Sequence, residues 1–192
     1  MIYEVKQISV EGSSPETKLY IYSLDNSPEI NPAGVRPIIV ICPGGGYSMT
    51  SDREAEALGM KILAMGYHVA ILRYSVSPSV YPTALMELAK SVQFLRDNAD
   101  KYRIDCDKVI VQGSSAGGHL AASLGVFWNK PFLREALQCK AEDIKPNGMI
   151  LSYPVISSGE YAHRDSFVKL LADRYDELVD EMRSAIEKEN LR

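Results

Sequence analysis

The chain has 192 residues, of which 46% are hydrophobic and 24% are charged, and its formal net charge is −4. This length and composition suit one globular domain with a sizeable core. The acidic balance and the lack of a Lys/Arg cluster argue against nucleic acid or an anionic membrane as a partner, and no apolar stretch approaches the ~20 residues of a membrane span.

Two short N-terminal segments, residues 2–9 and 17–23, alternate apolar and polar side chains as β-strands do. A Gly-Ser-Ser-Pro turn lies between them, so we expect an antiparallel hairpin at the edge of a sheet. Residues 26–36 follow as a predicted loop.

Strand and helix patterns then alternate along the chain. Apolar or β-rich runs, typical of strands buried on both faces, occupy residues 37–42, 67–74, 109–112 and 147–153. Helical spacing of apolar residues occurs between these runs, at residues 52–65, 83–101 and 116–127. The alternation predicts right-handed βαβ crossovers, and therefore an α/β sandwich of three layers around a mostly parallel sheet.

The last forty or so residues break this alternation. Residues 157–165 read as a polar loop, and residues 166–190 have helical spacing with many charges and no strand pattern. We therefore treat residues 1–192 as a single domain, with residues 157–192 as a cap or terminal helical segment.

The sequence Gly-Ser-Ser-Ala-Gly at residues 113–117 matches G-x-S-x-G, with Ser115 at its centre. A β-rich run precedes the motif and a helix-forming run follows it, which is the strand–turn–helix setting of a nucleophile elbow. Such a turn exposes its central side chain, and the helix N-terminus behind it favours a developing oxyanion. Ser114 is the alternative serine, but it is not the central residue. A plain Gly/Ser turn that only begins a helix is the simpler interpretation.

Three consecutive glycines, Gly44 to Gly46, follow the first buried run. Glycines allow backbone N–H groups to approach a ligand closely. In hydrolases with a nucleophile elbow, such a loop supplies oxyanion-hole donors, so we predict Gly45, Gly46 and Ala116 as the donors. A phosphate-binding loop is the rival interpretation, but neither G-x-x-x-x-G-K-[ST] nor G-x-G-x-x-G is present.

Four segments together resemble the hormone-sensitive-lipase-like and acetyl-xylan-esterase-like branch of the α/β-hydrolases. They are PGGGY at 43–47, GYHVAILRYSVSP at 66–78, YPTALMELAKSVQFLR at 81–96 and GSSAGGHLAA at 113–122. The resemblance implies hydrolysis of a carboxylic ester, often a short acyl or acetyl ester of a sugar, through an acyl-enzyme on Ser115. It also implies that Tyr47 lines the acyl pocket. Pro43 stands where the lipase-like HGGG loop has His, which is a feature of the sugar-esterase-like members.

A serine needs a base, which in this fold lies after the serine in the order Ser, Asp or Glu, His. His68 precedes the serine within an apolar strand, and His119 is a structural part of the elbow helix. His163 alone has the right chain order, so it is the candidate base. The acidic candidates are better interpreted as solvated surface charges; they are Asp165, Asp173, Asp176 and Asp180. We expect the chain to be truncated relative to the family, before the triad Asp and His.

Three functions remain open from the sequence. The first is an esterase, with a small ester as substrate and neither a metal nor a cofactor. The second is a noncatalytic remnant that binds a ligand or partner through the glycine loop, and the third is a serine peptidase of the same fold. The N-terminus lacks the pattern of a signal peptide, and the odd, scattered Cys42, Cys106 and Cys139 suit a reducing cytoplasm. The sequence leaves homo-oligomerisation open.

Overall fold

The computed structural model describes residues 1–27, 29–30, 34–157 and 162–179. Within these ranges one sheet contains six strands: β1 (Ile2–Gln7), β2 (Lys18–Ser23), β3 (Arg36–Cys42), β4 (His68–Arg73), β5 (Ile104–Ser114) and β6 (Gly148–Ser152). The helices described are α1 (Glu56–Ala64), α2 (Thr83–Asp97), α3 (Ala99–Tyr102), α4 (Ala116–Phe127), α5 (Pro131–Leu137), α6 (Ala141–Ile144) and α7 (Arg164–Leu171). Each of these helices is too short or too polar to traverse a lipid bilayer.

The strands lie in the order β1-β2-β4-β3-β5-β6. β1 and β2 form the antiparallel hairpin expected at the sheet edge, and β2 also runs antiparallel to β4. The strands β4, β3, β5 and β6 are parallel to one another, as the alternation of strand and helix predicts.

Both faces of the sheet are covered, which explains the continuous apolar run of β3. Ile38 and Val40 belong to the larger apolar cluster, which includes side chains of α2, α4 and α7. Ile39 and Ile41 point to the other face and pack in a smaller cluster with Leu63 of α1. Successive side chains of a strand face opposite ways, so a strand between two helical layers must be apolar at every position. The three-layer α/β architecture is confirmed.

The bounds of several helices and strands differ from the predictions. The helix predicted over residues 83–101 is divided at Asn98 into α2 and α3, and the strand predicted over residues 109–112 is part of the longer β5. The short α5 and α6 were not predicted. Of the terminal helix expected over residues 166–190, the structure describes α7, a 3₁₀ turn (Ala172–Arg174) and helical residues 175–179. The remainder of that helix, with Asp180, lies outside the described residues.

Candidate active site

Three chain segments meet at the carboxyl edge of the parallel strands. The register pairs Cys42 at the end of β3 with Gly113 of β5, and Ser114 at the end of β5 with Ser152 of β6. The glycine loop, the serine turn and the segment after β6 therefore begin side by side. In parallel sheets with helices on both faces, this edge is where ligands bind.

Ser115 occupies the turn between β5 and α4 with φ 53 and ψ −119, a conformation that is costly for a residue with a side chain. The flanking glycines make the turn feasible. A Cβ on Gly113 would lie 2.0 Å from the carbonyl oxygen of Gly117, and one on Gly117 would lie 2.0 Å from that of Cys42. The structure thus has the strand–turn–helix geometry that G-x-S-x-G predicts.

The two serines of the motif have different environments. Ser114 is only 4% exposed, and its Oγ accepts a hydrogen bond of 3.2 Å from the side-chain amide of Gln112. Ser115 is partly exposed and lines an open cavity of about 320 Å³. Its N–H donates to the carbonyl of Ser152, and its own carbonyl accepts from the N–H of His119. The backbone of Ser115 is therefore held from two sides while its side chain stays accessible.

The glycine loop lies directly against this serine. A Cβ placed on Gly44 would be 3.0 Å from the Cβ of Ser115. Within the described part of the chain, the backbone amides of Gly45, Gly46 and Ala116 donate no hydrogen bond. The amide of Ala116 is in addition an unpaired N–H at the start of α4, where the helix dipole favours negative charge. These three N–H groups have no hydrogen-bond partner among the described residues, and their role as oxyanion-hole donors stays a prediction.

Tyr47 is buried beside the elbow helix α4. Its side chain is 3% exposed, and a hydrogen bond of 2.8 Å joins its hydroxyl to Nδ1 of His119. It is absent from the lining of the cavity that contains Ser115. The Tyr47 backbone has a positive φ of 57, and its ring contacts the elbow helix through His119, so its role in lining an acyl pocket stays a prediction.

His119 is a buried, uncharged histidine of the core. It is 1% exposed, and its ring packs edge-on against Phe167 of α7. Burial lowers the pKa of His119 to about 4, because the imidazolium form would lose its hydration. Its Nε2 has no hydrogen-bond partner among the described residues. His119 therefore stays neutral at pH 7, in accord with the structural role predicted for it.

The burial of His119 gives a testable pH dependence. The unfolded chain takes up this proton near pH 6.5 and the folded chain only near pH 4, so the free energy of unfolding should fall as the pH drops through that window. The loss should reach at most about 3 kcal/mol. Urea titrations at several pH values should show a shallower decline for His119→Gln than for the unsubstituted chain. Parallel curves for the two proteins would contradict this prediction.

The other two histidines differ in exposure. His68 is buried at the start of β4, where its Nδ1 accepts from the amide of Leu24 and its Nε2 donates to the carbonyl of Arg103, both at 3.1 Å. This is the core position predicted for it, and burial lowers its pKa. His163 is exposed and lines the same cavity as Ser115.

His163 also lies close to the glycine loop. Its Cε1 is 4.0 Å from where a Cβ on Gly46 would be, and its Nδ1 is joined to Ser166 Oγ by a hydrogen bond of 2.9 Å. Within the described residues, this serine is its hydrogen-bond partner in place of a carboxylate. The acidic candidates that the structure describes are all exposed, as expected of surface charges; they are Asp165, Asp173 and Asp176.

Two further residues at this edge were missed from the sequence. The carboxylate of Glu54 accepts hydrogen bonds from the backbone N–H of Gly44 and from the hydroxyl of Tyr153, each at 2.6 Å. Tyr153 lines the cavity beside Ser115. Glu54 belongs to no recognisable motif, and Tyr153 lies 99 positions from it, so no pattern in the sequence connects them.

A parallel sheet covered by helices, with a serine elbow beside a glycine loop, defines the α/β-hydrolase class. Solved structures agree with this assignment. MGS-M1, an alpha/beta hydrolase enzyme from a Medee basin deep-sea metagenome library, is 34% identical, with a TM-score of 0.68 over 83% of this chain and 60% of its own. An acetyl ester-xyloside bifunctional hydrolase from Caldicellulosiruptor lactoaceticus is 30% identical, with a TM-score of 0.73 over 88% of this chain and 60% of its own.

Within that class, the BD-FAE family model matches residues 26–162, and the chain belongs to this family. A curated relative, Endo-1,4-beta-xylanase B from Butyrivibrio fibrisolvens, is 36% identical over 147 residues, which are 71% of this chain and 22% of the relative. The resemblance to the esterase branch of the α/β-hydrolases is thus confirmed. The chain spans about 60% of the two solved structures and about a fifth of the xylanase.

Proposed function

We propose that this chain carries the nucleophile of a serine carboxylic-ester hydrolase. In this proposal the hydroxyl of Ser115 attacks the ester carbonyl, and the amides of Gly45, Gly46 and Ala116 stabilise the resulting oxyanion. The observation that carries the proposal is the close approach of two segments: the strained elbow exposes Ser115, and the glycine loop lies against it with unpaired amides.

The reaction proceeds by acyl transfer. As Ser115 Oγ bonds to the carbonyl carbon, a base takes the hydroxyl proton and the carbonyl oxygen becomes an oxyanion. Collapse of this intermediate breaks the ester bond, and the alcohol leaves with the proton from the base. Water then attacks the acyl-enzyme in the same way, releasing the acid and regenerating Ser115. Each oxyanion-hole donor contributes roughly 3 kcal/mol to such a transition state.

We propose His163 as the base available within the described chain. It shares the cavity with Ser115, and in the tautomer whose Nδ1–H donates to Ser166 Oγ, Nε2 is unprotonated and can accept a proton. A serine hydroxyl stabilises an imidazolium less than a carboxylate does, so we expect turnover of this chain to be weak. The segment after residue 157 would act as the cap that brings His163 to the cavity.

The His163 proposal predicts a measurable loss of reactivity. His163→Gln should slow reaction of Ser115 with a fluorophosphonate about 10-fold or more, because the serine then lacks a base. His68→Gln is the matched control for loss of a histidine elsewhere, judged at equal folded fraction by circular dichroism. Equal labelling rates for His163→Gln and the unsubstituted chain would show that His163 is not the base.

For the substrate, we propose a short acyl ester, an acetyl ester of a sugar in particular. Support comes from the PGGGY loop that resembles the sugar-esterase-like members, and from the acetyl ester named for one structural neighbour. The cavity at Ser115 is open rather than a long enclosed tunnel, which suits a small acyl group on a larger alcohol. The three cysteines are free, which supports action in a reducing compartment such as the cytoplasm.

One experiment tests the proposal directly. The folded chain is treated with a fluorophosphonate, and intact mass and peptide mapping locate the adduct; p-nitrophenyl acetate hydrolysis is followed in parallel. We expect a single adduct on Ser115 with slow release of p-nitrophenol. A folded sample that remains unlabelled and leaves the ester intact would favour the noncatalytic binding module instead.

A further inference from the structure

Glu54 ends a short 3₁₀ turn (Asp52–Glu54) before α1, and its carboxylate bridges two of the segments that meet at the sheet edge. Oε2 accepts from the N–H of Gly44 in the glycine loop, and Oε1 accepts from the hydroxyl of Tyr153 after β6. No strand pairing joins these two segments to each other, so the carboxylate is a direct link between them.

We propose that Glu54 is a positioning residue for the Ser115 site. It holds the glycine loop against Ser115 with the amides of Gly45 and Gly46 unpaired, and it fixes Tyr153 as a wall of the substrate cavity. This inference rests on the proposed function, since it assigns Glu54 to the site of that reaction.

The distances place Glu54 at the contact between loop and serine. The point where a Cβ on Gly44 would lie is 2.6 Å from Glu54 Oε2 and 3.0 Å from the Cβ of Ser115. The carboxylate and the serine therefore both lie against Gly44 of the loop. Loss of the carboxylate would remove the hydrogen bond that the N–H of Gly44 makes and loosen the loop beside Ser115.

The hydrogen bond to Glu54 also decides which amides can meet an oxyanion. The N–H of Gly44 is occupied by the carboxylate, so the next amides along the chain, those of Gly45 and Gly46, are the ones left unpaired. A bare carboxylate this close would repel an oxyanion. In this structure each oxygen of the Glu54 carboxylate accepts a hydrogen bond. These bonds stabilise the carboxylate charge and orient the carboxylate toward the glycine loop and the Tyr153 phenol.

Tyr153 shows why the second hydrogen bond matters. Its side chain is 66% exposed, and its backbone has φ 37, a strained value for a residue with a side chain. An exposed ring on a strained turn would sample several rotamers unless something fixed it. The hydrogen bond to Glu54 supplies that restraint, and it raises the pKa of the Tyr153 phenol. Strain beside a cavity is characteristic of functional sites.

The test compares Glu54→Ala with Glu56→Ala. Glu56 is the matched control, since it also accepts a hydrogen bond from a tyrosine, Tyr22, but stands outside the Ser115 cavity. Hydrogen exchange of the peptide covering residues 43–49 and the rate of fluorophosphonate labelling are measured on both. For Glu54→Ala we expect hydrogen exchange of this peptide to be about 10-fold faster and fluorophosphonate labelling to be about 10-fold slower. For Glu56→Ala we expect neither rate to change. Tyr153→Phe should slow labelling by about 3-fold, because it removes one of the two hydrogen bonds.

The outcomes separate this inference from the proposed function. Unchanged exchange in Glu54→Ala overturns the inference, and so does faster exchange with an unchanged labelling rate. If the unsubstituted chain is not labelled by the fluorophosphonate at all, the proposed function fails. Hydrogen exchange of residues 43–49 alone then decides whether Glu54 holds the glycine loop. If Glu54→Ala does not fold, Glu54→Gln replaces it, since its amide oxygen still accepts from Gly44. We then expect intermediate exchange and a lower pKa of Tyr153 by absorbance titration.

Discussion

Replacing Ser115 with Ala should abolish fluorophosphonate labelling of the folded chain. The adduct is a covalent bond to the serine oxygen, and Ser115 is the accessible hydroxyl at the elbow. Hydrolysis of p-nitrophenyl acetate should fall by at least about 100-fold relative to the unsubstituted chain, down to the rate that the proposed oxyanion hole alone provides. Intact-mass spectrometry and initial rates measure the two effects.

Ser114→Ala is the matched control for this substitution. It removes the neighbouring hydroxyl of the same motif, but that hydroxyl is buried and bonded to Gln112, so the label should stay on Ser115. Both variants should retain the circular dichroism spectrum of the unsubstituted chain. Persistence of the label in Ser115→Ala, or its transfer to Ser114, would exclude Ser115 as the nucleophile.

The sequence predicts the sheet and the elbow well because both depend on local patterns. The apolar run of β3 can be satisfied only between two covering layers, and that placement puts its end beside the end of β5. The glycines of G-x-S-x-G are required by close approach of the backbone, at 2.0 Å for a Cβ on either residue. Such constraints select particular residue types at a fixed spacing in the sequence, so they can be recognised without coordinates.

The rest of the site depends on contacts between distant segments. Nothing near Glu54 indicates that its carboxylate will meet Gly44 and Tyr153, because those contacts exist only after the sheet has formed. The position of the Tyr47 ring could not be predicted for a similar reason: its positive φ and its distant partner His119 decide where the ring lies. The helices α5 and α6, of seven and four residues, are too short to carry a helical repeat.

The close approach of strand and helix at the elbow predicts that Gly117→Ala is severely destabilising. A Cβ at this position would lie 2.0 Å from the carbonyl oxygen of Cys42 and 2.5 Å from that of Pro43. Both atoms belong to the backbone where the central strand β3 ends and the glycine loop begins, and they cannot move aside as a flexible side chain could. We expect the free energy of unfolding to fall by roughly 3 kcal/mol or more, measured by urea denaturation, with loss of Ser115 labelling.

Gly148→Ala is the control, since it adds the same methyl group at the start of β6. There the nearest atom is the side-chain Cγ1 of Ile110 at 3.6 Å, an ordinary contact, so stability should change by less than about 0.5 kcal/mol. The difference between the two variants isolates the cost of separating helix α4 from β3. Equal stability of Gly117→Ala and Gly148→Ala would mean that the elbow can open without penalty. The close packing of the elbow would then not hold the glycine loop beside Ser115, and the proposed oxyanion hole would lose its structural support.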